Sequence, residues 1–125
     1  MDIITFSNGV SVVNVTPHPL TFLDGEDVVN VPASGILVNA KVVNEEKVEG
    51  AVTFCIPAFV ADEESERNLS ELERSLPEGT LVVGSIVAAQ AYPGRVVGMV
   101  PAPGFERVPP AEKRMSTSRF TRYGE

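Results

Sequence analysis

The sequence predicts an α+β domain, mainly β: an antiparallel sheet of short strands with two short helices and a basic C-terminal arm. Three observations point there. Ten prolines and ten glycines in 125 residues imply many turns and short elements rather than a helical bundle. Short apolar runs alternate with Asn-Gly, Asp-Gly and Pro/Gly breaks, the punctuation of strands. Helical spacing of apolar residues is confined to one acidic stretch and one small-residue stretch. The length suits a single domain over residues 1–125, read as a β-meander (1–60), a helix–strand–helix segment (61–94), and a strand plus basic arm (95–125).

The elements follow in order. Ile3–Phe6 is apolar and ends at Ser7-Asn8-Gly9, a hairpin signal leading into Val10–Thr16. Leu20–Leu23 and Val28–Val31 flank Asp24-Gly25-Glu26-Asp27, a second hairpin signature. Pro32-Ala33-Ser34-Gly35 breaks the chain, and Ile36–Val43 then alternates loosely, as a half-buried strand does. Asn44-Glu45-Glu46-Lys47 reads as a polar turn before a strand over Val48–Ile56, with Gly50 a candidate bulge. In Ala61–Leu76, Leu69, Leu72 and Leu76 fall on one helix face. Asp62 is the expected cap, the following acids suit the helix dipole, and Pro77 stops the helix. Thr80–Val83 reads as a buried strand, Gly84-Ser85 as the start of a short helix over Ile86–Ala91, and Arg95–Val100 as a further strand. Ser118–Tyr123 is read as a final strand or an ordered tail.

Charge is divided unevenly. Residues 1–94 carry net −10 and residues 95–125 net +3, within a total of −7. An acidic body argues against polymeric nucleic acid, whose affinity grows with many phosphate contacts. A local basic region can still hold one small anion. The single cysteine, Cys55, excludes an internal disulfide and suits a reducing compartment. Its apolar neighbours predict a buried structural thiol. No signal peptide and no apolar run of membrane length is read, so a cytoplasmic location is expected.

One histidine and one cysteine leave a zinc site and a Cys–His or Ser–His–Asp hydrolase short of members. No metal or cofactor is expected. The acidic stretch at 62–66 lacks a calcium-loop pattern and reads as a solvated helix face. The candidates that remain point to a ligand. Thr16-Pro17-His18-Pro19 is a stiff turn able to present a hydroxyl and an imidazole. Gly84-Ser85 at a helix start can offer N–H groups and the Ser85 hydroxyl to an anion. In Arg119-Phe120-Thr121-Arg122-Tyr123 an extended chain puts Phe120 and Arg122 on one face and Arg119, Thr121 and Tyr123 on the other. Arginine gives paired bonds to phosphate and an aromatic ring stacks on a base. Arg95 and Arg107 bracket the Pro/Gly-rich loop and are candidates for the same anion.

Several segments resemble a group of small phage-encoded proteins. Val13-Asn14-Val15-Thr16-Pro17-His18-Pro19-Leu20 is similar to their opening strand and Thr-Pro-His turn, and Pro32-Ala33-Ser34-Gly35 to the turn after their first hairpin. Val82-Val83-Gly84-Ser85-Ile86-Val87-Ala88-Ala89-Gln90, Arg95 and Ser118-Arg119-Phe120 resemble their strand-to-helix segment, following arginine and closing basic-aromatic strand. The likeness touches both ends and about half the chain. The group resembles the phage anti-Thoeris sponge proteins, which bind a cyclic ADP-ribose-type signal and keep it from a bacterial immune effector. The resemblance implies an antiparallel sheet with two short helices and a non-catalytic homo-oligomer. In it the C-terminal arm of one subunit would cover the pocket of another. Gly84 before Ser85 and the acidic stretch at 62–66 depart from the pattern.

The function expected is therefore non-enzymatic sequestration of a small cyclic nucleotide in the host cytoplasm. Thr16, His18, Ser85, Arg95, Arg107, Arg119, Phe120 and Arg122 would be the ligand-binding residues. A phage structural or assembly protein and a small hydrolase of a nucleotide signal are the alternatives.

Overall fold

The computed structural model describes residues 2–124. It is mainly β, with strands β1 (Ile4–Thr5), β2 (Ser11–Asn14), β3 (Leu20–Asp24), β4 (Asp27–Val31), β5 (Ala40–Glu49), β6 (Val52–Ala61), β7 (Leu81–Val83), β8 (Gly98–Pro101) and β9 (Met115–Thr121). Its helices are α1 (Glu63–Ser75) and α2 (Ile86–Ala91), with one 3₁₀ turn at Pro110–Glu112. The strands form three sheets, ordered β1-β2-β7, β4-β3-β9-β8 and β5-β6.

The β1-β2-β7 sheet is apolar on both faces and separates two cores, as the alternation of strand side chains requires. Val13, Val15 and Val82 face one core with Leu69 and Leu72 of α1, Ala88 and Ala89 of α2, and Tyr92. Val12 and Val83 face the other, with Phe6, Phe22, Val31 and Val97, onto which Phe120 and Met115 pack from the second sheet. Helices thus cover one face and the four-stranded sheet covers the other.

Both helices begin where the sequence places them. Asp62 caps α1 by accepting from the Ser65 N–H at 3.1 Å, and Ser85 caps α2 by accepting from the Ala88 N–H at 3.0 Å. The β3–β4 hairpin closes on Gly25-Glu26, with Asp24 paired to Asp27 and Gly25 at φ +65°, the backbone that only glycine adopts freely.

Several expectations need correction. Residues 1–60 are not a meander. β2 pairs with β1 and, in parallel, with β7, and β3 pairs with β4 and, in parallel, with β9. Asn44–Lys47 is not a turn but the middle of the ten-residue β5. The chain reverses at Gly50-Ala51, with Glu49 opposite Val52 and Gly50 at φ +65°, so Gly50 is a turn residue and not a bulge. Cys55 is exposed, because the β5–β6 hairpin projects and leaves both faces uncovered over most of its length. Residues 115–121 bear out the final strand read over Ser118–Tyr123, which begins three residues earlier and ends at Thr121. They form β9, held between β3 and β8 of the same chain.

Tertiary hydrogen bonds fix the base of the projecting hairpin. Residues 36–39, expected as strand, are irregular and bind α1: the Asn39 N–H donates to Ser65 Oγ at 2.8 Å and Asn68 Nδ2 donates to the Leu37 carbonyl at 3.2 Å. No helix among the described residues is long and apolar enough to cross a membrane.

Candidate functional site

A cleft of about 550 Å³ opens between the end of β9, the start of β7 and the loop after α2. Phe120 and Arg122 enter it from β9 and its continuation, Leu81 and Val82 from β7 with Thr80 just before it, and Gly94, Arg95 and Val97 from the post-helix segment. Phe120 and Arg122 share it because residues two apart on an extended chain face the same way. The Phe120 ring lies 6.4 Å from that of Phe22, so one side of the ring belongs to the core while the residue stays half-buried. Arg122 is exposed, and among the described residues no acid pairs with it. Among the described residues its guanidinium donors are uncommitted.

Arg95 lines the same cleft but its guanidinium is committed elsewhere. Nη1 donates to both Glu66 oxygens at 2.7 and 2.8 Å. Nε and Nη2 donate to Glu73 at 3.2 and 2.7 Å, and Nη2 also reaches Ser70 Oγ at 3.3 Å. Glu66, Ser70 and Glu73 form an i, i+4, i+7 stripe on α1. All five donors of the fork are thereby used. Hydrogen bonding to Glu73 is the main cause that holds the Arg95 charge above its already high ordinary affinity for a proton; partial burial opposes it and Glu66 adds to it. Arg95 is a clamp between α1 and the β8 approach, and no donor of its fork is left for a phosphate.

The other candidates sit apart from the cleft. Thr16 and His18 lie in the turn after β2, where the core-facing amide of Asn14 organises the backbone. Asn14 Nδ2 donates to the carbonyls of His18 at 2.6 Å and Val31 at 3.2 Å. Its Oδ1 accepts from the Thr16 N–H at 2.9 Å and the Thr16 hydroxyl at 2.6 Å. The turn therefore uses the Thr16 hydroxyl and the His18 backbone as structure, while the His18 side chain is exposed. The Ser85 hydroxyl caps a six-residue helix, so one of its two lone pairs already serves an N–H. Arg107 is exposed in the loop after β8, and Arg119 is exposed on the face of β9 opposite Phe120.

Gly84 is required where β7 gives way to α2. A Cβ there would come within 2.8 Å of Val96 Cγ1, and Val96 is fully buried. The glycine is a close-approach residue between strand and loop. Tyr123, beside the cleft residues in sequence, packs instead on the helix-side core.

Sequence reasoning named three cleft residues (Arg95, Phe120 and Arg122) and missed Thr80, Leu81, Val82, Gly94, Val97 and Gly124. Those carry no chemical signature; parallel strand pairing and the turn after α2 bring them there. No protein-family model matches the chain, and neither does any curated protein or solved structure.

Proposed function

We propose that this chain binds and sequesters one small phosphorylated nucleotide signal and leaves it chemically unchanged. The observation that carries the reading is the pairing of Phe120 and the uncommitted Arg122 in one polar cleft of about 550 Å³. That volume suits a small ligand, not a polymer. The arginine fork supplies paired N–H donors to a phosphate, and the exposed part of the phenyl ring supplies a stacking surface for a base. Thr80 and Gly94 line the same cleft and would supply polar contacts around them. The resemblance to the anti-Thoeris sponges narrows the ligand to a cyclic ADP-ribose-type signal. In that reading a phage-encoded homo-oligomer blunts a bacterial defence in the host cytoplasm by lowering the free signal.

Calorimetric titration of the purified chain with cyclic ADP-ribose isomers and with cyclic oligonucleotides tests the proposal. Binding of one of them, with intact ligand recovered after heat denaturation of the complex, is the expected result. Silence with every ligand overturns it, and recovery of a hydrolysed product replaces it with an enzyme.

A further inference from the structure

We infer that the β5–β6 hairpin is a homodimerisation element, on which a second copy of this chain packs its own hairpin face to face about a two-fold axis. The hairpin lies outside both cores and is independent of the ligand cleft. Directly opposed residues of an antiparallel pair share a face, and one face carries Val43/Ala58, Glu45/Ile56, Lys47/Phe54 and Glu49/Val52. Its apolar stripe stands in solvent: Val52 and Phe54 are each 50% exposed and Ile56 47%. A two-stranded hairpin is marginal by itself in water, and within the chain only its base is anchored.

Surface area argues for a partner. The chain exposes 7770 Å² where a compact monomer of 13.4 kDa exposes roughly 6,500 Å². The excess, about 1,300 Å², exceeds the roughly 800 Å² each partner gives to a standard interface.

Charge argues that the partner is another copy. The whole chain is at −7, which disfavours indiscriminate self-contact, yet the hairpin sets Lys41 and Lys47 against Glu45, Glu46 and Glu49 for a net charge of only −1. Glu45 and Lys47 flank the Glu46/Cys55 level. An antiparallel copy centred there sets Glu45 against the partner's Lys47, and Phe54 against the partner's Ile56, twice over by symmetry. Face packing is favoured over edge addition along β6. Glu49 and Val52 flank a two-residue turn and so form a hydrogen-bonded pair; alternation makes Asn44/Pro57 a non-hydrogen-bonded pair. Pro57 thus interrupts the donors of the free β6 edge.

Sedimentation velocity on the full chain, over a concentration series, tests this. A reversible dimer is expected. Phe54→Asp or Ile56→Asp should raise its dissociation constant by at least about 100-fold, with far-UV circular dichroism unchanged, whereas Phe54→Leu keeps the dimer. Glu45→Lys and Lys47→Glu should each weaken it, and the double variant should recover it. Arg122→Ala should leave it intact, which separates failure of this proposal from failure of the ligand reading. A wild-type chain that stays monomeric overturns the inference, as does a dimer indifferent to Phe54→Asp. A monomer that instead binds phosphatidylglycerol vesicles through the same residues overturns it in favour of a lipid surface.

Discussion

The Tyr92 hydroxyl donates to the Asn39 carbonyl at 2.9 Å, from a side chain only 2% exposed. The same oxygen accepts from the Asp62 N–H at 2.9 Å. Asn39 precedes β5 and Asp62 follows β6, so one buried phenol ties both legs of the projecting hairpin to the helix-side core. Tyr92→Phe keeps the ring and removes the tie. It should cost about 1–2 kcal/mol, the range for losing a hydrogen bond while stranding its partners. Thermal unfolding should show the loss. Amide hydrogen exchange should quicken in β5 and β6 more than in β2 or β7.

Asn14 is a second buried polar tie, and all four of its amide valences are met. Asn14→Ala would take the amide donor from the His18 and Val31 carbonyls, free the Thr16 hydroxyl to serve His18 alone, and leave a cavity between the sheets. A loss of roughly 2–4 kcal/mol is expected, read from urea unfolding. Thr16→Val should cost less, since Asn14 still bonds the turn's backbone. Equal losses from the two variants would show that the hydroxyl, and not the amide, holds the turn.

These ties show what the sequence could and could not convey. Asp62, Ser85, Leu69 and Leu72 were legible because capping and helical periodicity are local. The β3–β4 turn was legible because Gly25 sits where a positive φ is needed. Asn44–Lys47 was misread because charges within a strand look like a turn until both faces are known to be open. The parallel pairings of β2 with β7 and of β3 with β9 leave no local trace. The candidate site was legible in Phe120 and Arg122, whose alternation fixes a shared face. It was illegible at Arg95, whose acidic partners lie 29 and 22 residues away in sequence. Asn14 reads as an ordinary polar residue at a strand end until three separate segments converge on it.

The two arginines of the cleft should therefore separate by variant. Arg122→Ala is expected to weaken binding of a phosphorylated ligand by about 10-fold or more, the scale of one charged hydrogen-bonding group, with little change in stability. Arg95→Ala is expected to do the reverse. It releases Glu66 and Glu73 and costs about 1–2 kcal/mol, the scale of two partly exposed ion pairs in a network, and the loss should shrink at high salt. Arg119→Ala, on the opposite face of β9, should change neither property. Calorimetry and thermal unfolding on the three variants decide the assignment; ligand loss in Arg119→Ala with retention in Arg122→Ala would reverse it.

Acid stability should carry the mark of Asp24. The Ser7 hydroxyl donates to its carboxylate, and the Ser7 N–H donates to the other oxygen at 2.9 Å. These bonds, the side-chain one foremost, hold the Asp24 carboxyl below its ordinary value of 3.8. The sign follows from linkage. A carboxylate with a depressed folded-state value stabilises the fold above its unfolded value, and that contribution is lost as pH falls through the folded value. The melting temperature of the wild type should thus exceed that of Asp24→Asn near neutrality. The gap should close below about pH 4 and vanish further down. Ser7→Ala should reproduce the narrowing, because it removes the main donor and leaves the carboxyl in place. A gap that stays constant through the acid range would assign the Asp24→Asn effect to the hairpin turn and not to its charge.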